Sequence, residues 1–184
     1  LKVLASISKL TTKPIEEHTL PLLYGQLPEM APDLAATDER DRIRHVLDAL
    51  SVLCVQPGLF EFLLIRLLHK LETLCLSNNR DSAPDQDFIK RECQLAYGFS
   101  FLHAINITLK RKVQEKHVDV PKYFDQVVPR LYGIFIYATS RKESLACDTR
   151  LLAEAGSIIE AIVAAMPAEC VPATVDWRST IGVL

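Results

Sequence analysis

Five cysteines, five histidines and a hydroxyl–imidazole–amide trio are the groups in this chain with chemistry to offer, and their spacing decides whether they use it. Cys54, Cys75, Cys93, Cys147 and Cys170 are scattered with no C-x-x-C pair to open a zinc or iron–sulfur site. Cys54 and Cys75 continue apolar stripes, which reads as small core residues with ordinary thiols. His18, His45, His69, His103 and His117 contain no H-x-x-x-H and no carboxylate at ligand spacing, so neither a metal nor a cofactor is expected. Ser100, His103 and Asn106 share consecutive turns of one helical pattern. Nucleophilic catalysis would need an orienting acid and an oxyanion hole at a strand-end turn, and nothing nearby supplies them. The trio reads as a polar cluster or a partner contact, with a ligand-binding or enzymatic helical domain as the competing reading. Asp81, Asp85 and Asp87 lack the glycine and closing glutamate of a calcium loop, and no glycine-rich phosphate cradle occurs.

One cationic cluster remains, Lys110, Arg111, Lys112 and Lys116. Cations at the end of a helix complement its dipole, and an acidic partner or a phosphate is the alternative use. With Arg42, Lys90 and Arg91 these are the candidate partner-binding residues. The formal net charge of -2 argues against direct nucleic-acid binding, which needs a cationic excess. No apolar run is long enough to span a bilayer, and the first residues, LKVLASISKL, have no signal-peptide pattern. The expectation is a protein-binding molecule of the cytoplasm and nucleus, with no membrane contact.

The elements that position these groups are helices. Ile43, Val46, Leu47, Leu50, Leu53 and Cys54 fall at helical spacing, as do Phe60, Leu63, Leu64, Leu67, Leu68, Leu71 and Leu74 beyond a V-Q-P-G break. Pro57 suits a first helical turn, and Gly58 eases the reversal. A break this short sets the two helices antiparallel. Thr37 or Asp38 should cap the first, and Asp38, Glu39 and Asp41 suit its positive end. Upstream, Leu1 to Leu10 reads as the end of a helix. The helix to Leu27 contains Pro21, which should bend or split it, with Thr19 capping the second half. Pro28 to Ala36 reads as an exposed loop. Downstream, the longest pattern runs from Pro84 or Asp85 to Lys116, with Phe88, Leu95, Phe99, Leu102, Asn106, Leu109 and Val113 on one stripe and Gly98 the place to loosen. Another helix begins at Val120–Pro121 and includes Pro129. The last carries Leu151, Leu152, Ala155, Ile158, Ile159, Ile162, Val163 and Met166 and stops at Pro167. The tail 167–184, with Trp177, reads as irregular. No alternating strand pattern occurs, so the fold class is all-α.

Pro21-Leu22-Leu23-Tyr24-Gly25 and Pro129-Arg130-Leu131-Tyr132-Gly133 share P-x-L-Y-G at corresponding places in two helices. The spacing implies a HEAT- or armadillo-like solenoid of about three helix pairs, 14–54, 57–116 and 121–166. A closed six-helix bundle is the alternative. The breadth of the apolar face from Leu59 to Leu76 favours stacked neighbours on two sides. The first and last residues lie within such patterns, so a piece of a longer polypeptide is expected.

L-P-x-L-x-x-x-L-P from Leu20 to Pro28, followed by L-C-x-Q-P-x-L-F-E-x-L-x-x-R-L-x-x-K-L from Leu53 to Leu71, resembles the Mms-nineteen family, the large HEAT-repeat subunit of the cytosolic iron–sulfur protein assembly targeting complex. The likeness covers roughly Thr19 to Ser77. It implies a non-catalytic adaptor that brings the assembly machinery to apo-proteins of DNA replication, repair and transcription. The implied partners are a WD40 propeller, a small assembly subunit, and iron–sulfur client enzymes such as DNA helicases and polymerases. A transport or coat-type solenoid with other cargo would share the architecture.

Overall fold

The computed structural model describes residues 2–75, 84–139 and 146–167, and every regular element among them is helical. Seven α-helices follow in order: α1 (Lys2–Leu10), α2 (Leu20–Gly25), α3 (Thr37–Leu53), α4 (Pro57–Lys70), α5 (Pro84–Gln114), α6 (Phe124–Thr139) and α7 (Ala146–Ala164). Two π-helical turns, Ile15–Thr19 and Leu71–Cys75, and a 3₁₀ turn, Val120–Tyr123, adjoin α2, α4 and α6. The tail from 168 onward and the breaks at 76–83 and 140–145 lie outside the described residues.

The two helices of the hairpin form where their apolar spacing places them, but each packs on α5 more than on the other. α3 buries Ile43, Val46, Leu47, Leu50 and Leu53, and α4 buries Leu59, Phe60, Leu63, Leu64, Leu67 and Leu68. Two details differ from expectation. α3 starts at Thr37, so the capping position falls to Ala36, which has no side-chain acceptor; Asp38 and Glu39 serve the helix dipole from the first turn instead. The reversal is made by Cys54 to Gln56, with Gln56 extended and Pro57 opening α4. Gly58 already lies in that helix with negative φ, and a Cβ added there would meet nothing, so the turn does not require glycine.

Pro21 neither breaks its helix nor calls on Thr19 as a cap. Thr19 keeps helical angles and makes no side-chain capping bond. The chain widens into a π turn just ahead of the proline, with the Leu20 N–H bonded to the Ile15 carbonyl. One extra residue in the turn absorbs the donor and the space that the ring removes. The second P-x-L-Y-G likewise follows a non-α turn. In both copies the proline, the next residue and the glycine are exposed and the leucine turns inward. The tyrosines part company: Tyr24 is edge-on to Phe62 at 5.7 Å, whereas Tyr132 is 52% exposed.

The helices follow one another as neighbours in two rows. α1 packs on α3, α3 on α5, and α5 on α7, the most extensive of these contacts; α2, α4 and α6 lie against α3, α5 and α7. Side chains link the second row laterally: Tyr24 to Phe62, Phe60 to Tyr123 at 4.8 Å, and Arg130 to Glu72 at 3.5 Å. One core runs through both rows from Ile15 to Ile162. Neighbours in both rows explain why α5 buries far more than a stripe. Beside Leu95, Leu102, Asn106 and Leu109 it hides Tyr97, Phe101, Ile105, Thr108 and Lys112, while Phe88 and Val113 at the ends of the predicted stripe stay exposed. It runs through Gly98 without interruption. In the loop after α2, Leu27 and Pro32 are buried, Pro28, Ala31 and Ala36 are half-buried and the rest is exposed, and the Pro28 carbonyl accepts hydrogen bonds from Lys70 Nζ at 3.2 Å and the Tyr97 hydroxyl at 3.0 Å.

α5 ends in a Schellman motif, with the Lys116 N–H on the Val113 carbonyl at 3.0 Å and the His117 N–H on that of Lys112 at 2.9 Å. The motif puts Lys116 at φ 58, a left-handed position that suits glycine. Lys116→Gly is therefore expected to raise stability by about 1 kcal/mol. Urea denaturation would show this as a higher midpoint at unchanged slope.

Candidate functional site

The basic end of α5 divides when folded. Lys112 stands one turn past Thr108, on the face that meets the α3–α4 turn, and has no exposed surface. Its Nζ donates to the Val55 carbonyl at 2.8 Å and lies 2.8 Å from Asp119 Oδ2. It also sits over the rings of Phe60 and Tyr123 at 5.2 and 5.7 Å. The Tyr123 hydroxyl donates to the same Asp119 oxygen and lies 3.3 Å from the Pro57 carbonyl. Arg111 Nη1 donates to the Ser51 carbonyl at 3.2 Å. The carbonyls left over at the end of α3 are thus met by side chains of α5, and the negative end of α3 receives a cation.

Burial pushes the Lys112 ammonium below its ordinary value, against the hydrogen bond to Asp119 and the charges of Asp119 and Glu115. Burial also works to raise Asp119, but the hydrogen bonds from Lys112 and Tyr123 and the lysine charge outweigh it and hold the carboxyl below the usual range. The expectation that Lys112 contacts a partner is corrected on this geometry: a side chain with no exposed surface, engaged by two oxygens and two rings, is internal.

Lys110 and Lys116 are exposed and Arg111 is half-buried. Arg42 and Lys90 are exposed and Arg91 is half-buried. At about 1.5 Å per residue, Lys90 and Lys110 stand about 30 Å apart along α5, so the seven residues do not form one patch. Arg42 stands on α3, Lys90 and Arg91 lie toward the start of α5, and Lys110, Arg111 and Lys116 lie at its end.

The trio on α5 acquires a member that sequence reasoning missed. Glu154 of α7 accepts from Asn106 Nδ2 and pairs with His103 Nδ1, each at 2.9 Å. Its signal was position, since it stands at helical spacing between buried Leu151 and Ile158. Ser100 takes no part, because its hydroxyl donates to the Ala96 carbonyl at 3.1 Å. The group is a polar tie between α5 and α7, with His103 stacked on Phe99 at its open side. Cys54 is buried and its thiol pushed up to about 12 by burial, which leaves it unreactive. Cys75, Cys147 and Cys170 fall outside the described side chains. Among the described residues no three histidines, cysteines or carboxylates cluster closely enough to hold a metal ion, and no helix is long and apolar enough to cross a membrane.

A groove of about 230 Å³ lies between α3 and α5 where the loop 32–34 closes over them. Ile43, Leu47, Tyr97 and Ala104 line it, with Arg40, Arg44, Asp48 and His103 at its rim.

In comparison with known families, residues 46–176 match the model described as RNAPII transcription regulator C-terminal, that of MMS19. No curated protein and no solved structure matches the chain.

Lys112→Ala strands Asp119 in the interior and is expected to cost about 3–5 kcal/mol, read by denaturant unfolding. Because Asp119 is depressed when folded, its stabilising contribution is complete above the unfolded aspartate value of about 3.9 and is lost as pH falls through the folded value. Asp119→Asn should therefore flatten the acid limb of the stability–pH curve.

Proposed function

The chain belongs to the MMS19 C-terminal family, and from that premise we propose that it is a non-catalytic scaffold built as a HEAT-like solenoid. The three pairs are α2 with α3, α4 with α5, and α6 with α7, corresponding to 14–54, 57–116 and 121–166. The observation that carries the reading is the succession of neighbours, α3 on α5 on α7 in one row and α2, α4 and α6 against them in the other. Each pair leaves an apolar side that the next one covers, which extends a surface without closing it.

The function proposed for this surface is adaptation: bringing the cytosolic iron–sulfur assembly machinery to apo-proteins of DNA replication, repair and transcription. The family description, a transcription regulator, supports the nuclear side of that role. A WD40 propeller and a small assembly subunit are the proposed machinery partners, and iron–sulfur helicases and polymerases the proposed clients, in cytoplasm and nucleus. The mechanism is positioning. Arg42 on α3, Lys90 and Arg91 near the start of α5, and Lys110, Arg111 and Lys116 at its end offer charge for orienting acidic partners. An enzymatic reading has less support, because the Ser100 hydroxyl is bonded back to its own helix and His103 is paired to Glu154.

Expression of the tagged chain in cells, followed by mass spectrometry of what copurifies, tests the adaptor reading. Propeller, assembly-subunit and iron–sulfur client proteins are expected above the level of an unrelated helical control. Recovery of transport or coat proteins alone would contradict it.

A further inference from the structure

We propose that the groove between α3 and α5 docks a short segment of a partner protein carrying one or two apolar side chains and, at the Arg40–Arg44 end, a carboxylate. The inference rests on the reading of this chain as a protein-binding scaffold and names the chemistry that one part of it recognises.

The floor offers apolar contact and little else. Ile43, Leu47, Tyr97 and Ala104 bring carbon to it, all nearly buried by their own packing. The two hydroxyls on the α5 wall are already committed: Ser100 donates to the Ala96 carbonyl, and Tyr97 to the Pro28 carbonyl at 3.0 Å. A sugar or another polyhydroxylated ligand would find no free hydroxyl partner on that floor. The volume is also below the roughly 300–1,000 Å³ of sites that enclose small molecules. Apolar peptide side chains place no such demand on the floor.

Charge at the rim is polarised along α3. Arg40 is held over the loop by one hydrogen bond, from Nη1 to the Leu34 carbonyl at 3.0 Å. A guanidinium has five N–H donors, so the others remain for a ligand. Arg44, one turn on, pairs with Asp41 at 2.9 Å, but with side chains 70% and 55% exposed the pair is a solvated one that contributes little. A partner carboxylate can share this arginine without breaking anything the fold depends on. Asp48, about 12 Å along the helix from Arg40, closes the opposite end of the groove with negative charge. The cationic end therefore selects an acidic group, and Asp48 rejects one at the other end. Nucleic acid fits poorly, because two arginines with Asp48 at the other end give no continuous cationic track for a phosphate backbone, on a chain of formal net charge -2.

The test is selection of short random peptides displayed on phage against the full chain, followed by titration of the selected peptides by fluorescence anisotropy. Sequences with an apolar residue flanked on one side by Asp or Glu should be enriched. Reversing the cationic end, Arg40→Glu with Arg44→Glu, should weaken them by a factor of about ten or more. Ser100→Trp, which fills the groove from a half-buried wall position, should abolish binding, and Lys122→Glu on the exposed turn ahead of α6 should leave it unchanged. Circular dichroism establishes that each variant is folded. Should Ser100→Trp fail to fold, the exposed arginine pair decides alone. Selection of no peptide, of peptides without acidic flanks, or of peptides indifferent to the arginine reversal would overturn the proposal. If cellular partners are still retained by the chain in that case, the adaptor reading stands without the groove. If acidic peptides bind as expected while only transport proteins copurify, the groove stands and the adaptor reading falls.

Discussion

A lysine with no exposed surface has to be given partners by everything around it, and in this chain that requirement falls on Lys112. Its ammonium meets the Val55 carbonyl at the α3–α4 turn, the Asp119 carboxylate beyond the end of α5, and the rings of Phe60 and Tyr123. Those groups come from the α3–α4 turn, α4, the segment after α5 and the turn that opens α6. A cation that loses water gains back only as much as its partners' geometry allows, so the turn, the end of α5 and the 3₁₀ entry to α6 are constrained together. The Schellman ending of α5 belongs to the same arrangement: it brings Asp119 back beneath the helix that supplies Lys112, at the expense of a left-handed Lys116.

Away from this point the packing is apolar and the polar ties sit between rows or neighbours. The Pro28 carbonyl, left without a following helix to use it, collects Lys70 and Tyr97 and anchors the loop that overhangs the α3–α5 groove. Glu154 gathers His103 and Asn106 and joins α5 to α7. These contacts set the spacing between neighbouring helices.

Much of this was legible from periodicity. The α3–α4 hairpin, the extent of α5 and the stop of α7 before Pro167 follow from apolar spacing and proline, because burial on one face leaves a strong repeat in the residues. The resemblance carried by Leu20 to Leu71 is joined by a family match that extends over residues 46–176, well past the stretch where letter patterns are distinctive. The candidate site was read less well, for a physical reason. Lys112 stands in the run Lys110-Arg111-Lys112, where composition says surface; only the position of Asp119 and the open carbonyl of Val55, brought together by the fold, make it internal. Glu154 escaped notice because its partners are on another helix. Thr19 and Thr37 were poor caps because the chain stays helical through the first and starts one residue early at the second. Local chemistry proposes a cap, and tertiary packing decides where the helix begins.

The central claim is that the buried Lys112 cluster makes the stretch from the end of α3 to the start of α6 one cooperative unit. Native-state hydrogen exchange on the chain tests this most directly. The account predicts that protected amides near the α3–α4 turn, the end of α5 and the start of α6 exchange together, through an opening whose free energy equals that of global unfolding. Exchange of the α6 amides through a separate opening of lower free energy, with the α3–α4 hairpin still protected, would contradict it.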